Sequence, residues 1–214
     1  DRLMHKLDHV VIAANNLDEG TSYVENKLNV KLSNIGYHRD MGTHNRVVKI
    51  SKSAYLEVIS IDPNCVKIKS KRWFNLDNFT GHPIITNWVC SADFSRFVPH
   101  DLMPEIGDIL DLSRGSLRWN LTVPKNGILP FEGFAPALID WGVSKHPSKT
   151  LKENGCSLKK LIIKHKHANN LCSLLSGLLS DQRIEFAYTS GAGSYELWIE
   201  TPTTVSYTHL TLPT

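Results

Sequence analysis

The sequence predicts an α+β protein built from a repeated strand–helix–strands unit, and three observations carry that expectation. Short Val/Ile-rich apolar runs alternate with stretches of helical period. The runs that open each unit begin near residues 7, 84 and 158, offsets of 77 and 74 residues. Near-equal offsets with one element order are the mark of internal repetition.

The first unit spans residues 5–63. LDHVVIA (7–13) is a short apolar run that reads as a buried strand. Asn16 is placed to cap a following helix, with Glu19 three positions on to answer it. Leu17, Thr21, Val24 and Leu28 then form the stripe of an amphipathic helix. Three strands are expected next, over 31–37, 46–50 and 55–61. The polar turn SKSA joins the last two, and Asp62-Pro63 closes the unit.

The second unit spans 84–147. It opens with PIITNWVCSAD, and its helix is expected to be short or broken because SRFVPHDLMPEIGD carries two prolines. Strands fit 117–123 and 137–141, with 124–133 as a loop. The third unit, 156–202, opens with LKKLIIK and places Leu171, Leu174, Leu175 and Leu178 on one helix face. Strands near 183–188 and 195–200 leave it one strand short. Met4 reads as a native start. The terminal stretch 205–214, which has no charged residue, reads as a non-native tail, with an edge strand as its plain alternative.

Composition narrows the function classes. Hydrophobic residues make up 41% and charged residues 21%, the balance of a chain with a packed core. No window approaches eighteen unbroken apolar residues, so no membrane partner is expected. A net charge of +3, with the basic runs KIKSKR and KHKH lacking interleaved aromatics, gives no reason to expect nucleic acid. Four dispersed cysteines without a CxxC pair suit reduced thiols and a cytoplasmic setting. Phosphate-binding glycine motifs and GxSxG are missing.

Acids inside apolar strands are the chemical signal. Glu57 in YLEVISIDP comes two residues after Tyr55 and Glu196 in YELWIETP directly after Tyr195; each precedes a proline by six residues, and Asp140 in ALIDW holds a comparable place. A buried acid is costly without a base or metal beside it. On alternation, His9 shares its strand face with Leu7 and Val11, and Glu57 shares its own with Tyr55 and Ile59. An imidazole and a carboxylate on neighbouring strands suit zinc, nickel, manganese or iron. His146, held before Pro147, could aim its ring into a cleft as a general base. Trp88 and Trp141 are candidates to line a pocket.

Together LDHVVIAANNLDE, GTHN and YLEVISIDP resemble the vicinal oxygen chelate superfamily, most of all its glyoxalase-like branch. That superfamily includes glyoxalase I, the bleomycin- and fosfomycin-resistance proteins and the extradiol dioxygenases. The resemblance is strong over 5–63 and weaker in LRWNLTVP, WGVSKHP and YELWIETP. It implies βαβββ modules whose curved mixed sheets surround a cleft, usually with a divalent metal. It also implies that His9 and Glu57 are metal ligands. Aligning the units sets Asn87 and Lys160 opposite His9, so the second histidine of glyoxalase I-like members is missing. His44, His38, Asp140 and Glu196 are then the candidates to complete the ligand set. Glu196, Asp140 and His146 are candidates for moving protons, and His38, Asn45, Trp88 and Trp141 for holding substrate. The function expected is a divalent-metal-dependent enzyme of the lyase, isomerase or dioxygenase class, acting on a small molecule with adjacent oxygens. The alternative is a metal-free protein that sequesters a small or drug-like molecule. Superfamily members often form homodimers, whereas three units in one chain could complete the sheets internally.

Overall fold

The computed structural model describes residues 5–65, 67–202 and the backbone of 207–209. Its first unit runs β1 (Leu7–Ala13), α1 (Leu17–Leu28), β2 (Gly36–His38), β3 (Thr43–Lys49) and β4 (Tyr55–Ile61). Asn16 caps α1 by accepting from the Glu19 amide at 2.8 Å, and Asn29 ends it in the left-handed conformation. Gly20 lets α1 lie close on the sheet, because a Cβ there would meet Val58 at 2.5 Å and Ala14 at 2.8 Å. The strand expected over 31–37 shrinks to three residues, and β3 starts three residues early, at Thr43.

The second unit runs β5 (Ile84–Ser91), α2 (Pro99–Leu102), β6 (Asp108–Arg114), β7 (Leu117–Val123) and β8 (Ala137–Asp140). Prolines reduce its helix to one turn. The sequence reading has no counterpart of β6, an edge strand whose residues are mostly exposed and which therefore shows no apolar alternation.

These two units form one curved, nearly closed sheet in the order β2-β3-β4-β1-β5-β8-β7-β6. Its middle is the antiparallel β1–β5 pair, and each of these strands has a parallel partner from its own unit, β4 and β8. The curvature brings β2 and β6, the two ends of the sheet, close enough for the Arg114 side chain to lie against Gly36. The segment between β4 and β5 crosses the opening and buries Trp73 and Phe74.

The third unit forms a separate four-stranded sheet from β9 (Ser157–His165), β10 (Ile184–Tyr188), β11 (Ser194–Glu200) and β12 (Tyr207–His209), with α3 (Ala168–Leu175) beside it. Backbone bonds fix it to the first unit, Leu158 N–H donating to Ile50 at 2.7 Å and His5 N–H to Leu178 at 2.8 Å. Trp88 and Phe186 meet edge to face at 6.0 Å between the two sheets. Of the stretch 205–214, the backbone of Tyr207–His209 pairs with β11; the rest, like residues 1–4, lies outside the described residues.

Candidate functional site

The site begins with an irregularity in β1. Leu7 pairs with Cys90 and His9 with Val89, so Asp8 is an extra residue in the ladder. A β-bulge of this kind lets consecutive side chains turn to one side. Asp8 and His9 do meet: His9 Nδ1 donates to Asp8 Oδ1 at 2.7 Å. The other ring nitrogen, Nε2, faces Glu57 Oε1 at 3.5 Å. Glu57 arrives from β4, whose parallel pairing with β1 sets it beside Val11.

A chain of polar groups extends from both ends of this pair. Asn45 on β3 donates from Nδ2 to Glu57 Oε2 at 2.6 Å and accepts at Oδ1 from Arg114 Nη1 at 3.0 Å. At the far end, Asp8 Oδ2 accepts from Trp141 Nε1 at 3.0 Å and from His146 Nε2 at 2.9 Å. Ser148 N–H donates to His146 Nδ1 at 3.1 Å, which leaves the imidazole proton on Nε2 for Asp8. Tyr55 stacks on the His9 ring at 4.6 Å with planes 10° apart.

Every member of the central trio is buried, and burial alone would suppress its charge. The mutual contacts win. Burial opposes the His9 cation, but the hydrogen bond to Asp8, the Glu57 carboxylate facing the ring and the charges of both raise its pKa to about 9. Burial pushes Glu57 up, while His9, His38 and Asn45 hold it well below the usual carboxylate range. Asp8 is lowered against its burial by His146 and His9. His38 behaves in the opposite way. It is deeply buried, Glu57 only partly compensates, and its pKa falls to about 4. Its Nδ1 lies 3.1 Å from Thr43 Oγ1, which also receives Trp73 Nε1–H at 3.2 Å.

These groups surround a cavity of about 30 Å³, room for a water or a small ion. The first unit supplies its polar wall, His9, His38, Asn45 and Glu57; the second supplies Trp119, Leu121, Ile139 and Trp141. Trp73 and Phe74 roof it, Phe74 with a positive φ of 56° that a bulky side chain rarely adopts. Outside lies a groove of about 870 Å³ that shares Val47, Arg114 and Pro147 with the cavity.

The family model of the glyoxalase-like domain matches residues 7–179. The chain belongs to the glyoxalase-like domain family. Membership agrees with the curved sheet of paired βαβββ modules, the vicinal oxygen chelate fold. Among solved structures, a hypothetical protein from Staphylococcus aureus shares this fold with a TM-score of 0.70 at 18% identity, over 95% of this chain and 93% of that one. A methylmalonyl-CoA epimerase in complex with methylmalonyl-CoA aligns with a TM-score of 0.46 at 15% identity, over 67% of this chain and 99% of that one. The methylmalonyl-CoA epimerase from Mycobacterium tuberculosis gives 0.43 at 21% identity, over 64% and 87%. No curated protein matches the chain.

Within this glyoxalase-like domain, His9, Glu57, His38, Asn45 and Trp141 all line the cavity, and His146 stands behind it on Asp8. The remaining candidates are placed elsewhere, each for a geometric reason. His44 alternates with Thr43 and Asn45 on β3 and so takes the outer face, where it is half-buried near Asp18 and Asp62. Trp88 is core, donating to Phe134 O at 2.7 Å. Asp140 shapes the chain after β8, accepting from the Phe94 and Gly142 amides at 2.9 and 2.8 Å. Glu196 lies on the small sheet, 2.9 Å from Lys164 Nζ and bonded to Trp198 Nε1.

Asp8, Tyr55, Arg114, Trp73 and Trp119 complete the site without having been singled out. Strict alternation assigns Asp8 to the face opposite His9, and only the bulge reverses that. Arg114 ends the strand that had no apolar pattern. Tyr55 precedes Glu57 by two on one strand face, the signal that could have found it.

Proposed function

We propose that His9 and Glu57 hold a divalent metal and that the chain is an enzyme of the vicinal oxygen chelate type, acting on a small molecule with two adjacent oxygens. One observation carries the reading. The 3.5 Å between His9 Nε2 and Glu57 Oε1 is long for a hydrogen bond. It equals, within a few tenths, the edge of about 3.4 Å between two ligands held tetrahedrally at the usual zinc distances. The arrangement behind the pair supports it, since Asp8 on His9 Nδ1 is the carboxylate partner that orients a ligating imidazole.

The donors fit zinc, nickel, manganese or iron in type. Among the described residues no group of three His, Cys, Asp or Glu side chains is placed to hold a metal. A substrate with adjacent oxygens supplies two further donors, which is the role this reading gives it. A metal held there would supply stabilisation of negative charge developing on the substrate's oxygens. The chain's own residues do the rest. Asp8 fixes the His9 ring, Asn45 orients Glu57, and Trp73, Trp119 and Trp141 wall the cavity. His38, a neutral imidazole beside them, offers a hydrogen bond without a charge.

The test is metal content by mass spectrometry on full-length protein purified without chelator. About one metal per chain is expected, lost in the double variant His9→Ala/Glu57→Ala. Failure to take up zinc, nickel, manganese or iron on reconstitution would sink this reading. A metal-free binding protein would replace it, a rival that the two-donor count favours.

A further inference from the structure

The groove and the cavity meet at one cation. Arg114 is half-buried at the end of β6 and lines both spaces. Gly36 makes room for it, because a Cβ at that position would stand 2.1 Å from Arg114 Nη1. The guanidinium has five N–H donors, and its hydrogen bond within the described residues goes to Asn45 Oδ1. No carboxylate of the described residues lies within 4.0 Å of it, whereas Arg72 and Arg183 pair with Asp77 and Asp181. A planar fork left open toward a cavity mouth is the group that receives a carboxylate in bidentate fashion.

We propose that Arg114 anchors a carboxylate of the substrate, and that the substrate is a monoanionic organic acid whose apolar remainder lies in the groove. The proposal deepens the function proposed above and rests on the cavity being the reaction site. The groove supplies the apolar contact: Ile35 is 37% exposed and Tyr37 49% exposed on its wall, with Leu117 and Leu151 near them. Its exposed charges, Arg39 and Asp40, are one of each sign and favour no second anion. The cavity side argues against a dianion such as a phosphate monoester. Glu57 already lines the cavity facing His9, so a second negative charge would meet a carboxylate with one open guanidinium to balance it. Asn45 bonds both Arg114 and Glu57, so an acid held at Arg114 presents its neighbouring atoms one side chain away from the His9–Glu57 pair.

The experiment uses 4-phenylbutyrate and its uncharged methyl ester as probes, titrated by calorimetry into the chelator-stripped full chain. Stripping the metal makes the outcome independent of metal binding, which the uptake assay measures separately. The wild-type chain should bind the acid about tenfold more tightly than the ester, or more, since charge-assisted bidentate bonds are about twice as strong as neutral ones. Arg114→Gln should bring the two affinities together while the ester's own affinity holds, and Arg114→Lys should retain part of the difference. The retained ester binding reports that the variant is folded. Equal affinities in the wild-type chain, no acid binding up to about 10 mM, or an undiminished preference in Arg114→Gln would each overturn the proposal.

Discussion

The two halves of the large sheet are built alike and furnished differently. The ladder pairs Val10 with Trp88, and flanking pairs run His9 to Val89 and Val11 to Asn87. A local two-fold through Val10 and Trp88 therefore exchanges His9 with Asn87 and Val11 with Val89. Glu57 is beside Val11, and Ala137 beside Val89, so Glu57 exchanges with Ala137. Even the bulge is duplicated: Asp8 is the extra residue in β1, and Thr86 is its counterpart in β5. One half thus presents Asp8, His9 and Glu57; the other presents Thr86, Asn87 and Ala137. Asn87 donates to Gly133 O at 3.4 Å beside a pocket of about 370 Å³ walled in part by Tyr195 of the third unit. Backbone symmetry offers two equivalent places, and the side chains put a cluster of titratable groups in one of them.

The largest break in this comparison is Glu57→Ala. It leaves a buried imidazolium with one of its two carboxylates, and losing one partner of a buried ion pair costs about 3–5 kcal/mol. The mirror-side change Asn87→Ala removes one long hydrogen bond and should cost about 1 kcal/mol. Urea unfolding of the metal-free variants measures both. Equal losses at the two positions would mean that the halves differ in sequence and not in energetics.

A smaller effect separates holding a metal from orienting its ligand. Asp8→Asn keeps the size of the side chain and removes the charge that steers His9, Trp141 and His146. Under the proposed function it should weaken metal affinity by about 10–100-fold, the usual effect of removing such an orienting partner. Metal titration against a competing chelator gives the number, and unchanged affinity would strip Asp8 of that role.

The fold and the site were legible to different depths in the sequence. β1, β4 and β7 match their expected bounds because each is a buried apolar run between turn residues. β6 escaped because an exposed edge strand with two aspartates and an arginine has no apolar face to show. His9 and Glu57 stood out as polar groups on largely apolar strand faces, a pattern that burial makes costly. The signal that favoured Glu196 was the same, but its strand is in a second sheet, and no local pattern says which sheet a strand joins. Asp8 was hidden by the bulge, since register is a property of two strands and cannot be read from one.

Within the polar half, two histidines of one cavity should titrate far apart. In metal-free protein His9 is held charged by Asp8 and Glu57, and its NMR ring signals should shift only as the pH rises through about 9. His38, whose burial Glu57 only partly offsets, should stay uncharged until the pH falls toward about 4. The sign for stability follows. His38 takes up its proton in the unfolded chain near pH 6.5, so its contribution is complete above that and is lost as the pH falls toward 4. His9 works the other way, its contribution complete below about 6.5 and lost as the pH rises through about 9. Coincident titrations near 6.5 would show that neither the carboxylates beside His9 nor the burial of His38 shifts its ring.

The smallest effect lies at the mirror bulge and tests whether that half has been emptied of chemistry. Thr86 occupies the place of Asp8, yet its Oγ1 is buried with no hydrogen-bond partner within the described structure. A buried hydroxyl without a partner costs free energy, and replacing it by an apolar group of the same shape is neutral or stabilising. Thr86→Val keeps the β-branched shape that a strand favours. It should raise the stability by up to about 1 kcal/mol, read as a higher urea midpoint with an unchanged slope. Asp8→Val at the mirrored position should instead lower the midpoint, because three donors converge on that carboxylate. A lowered midpoint for Thr86→Val would show that its hydroxyl has a partner, most simply a bound water or ligand in the pocket beside Asn87. The second half would then hold a site of its own.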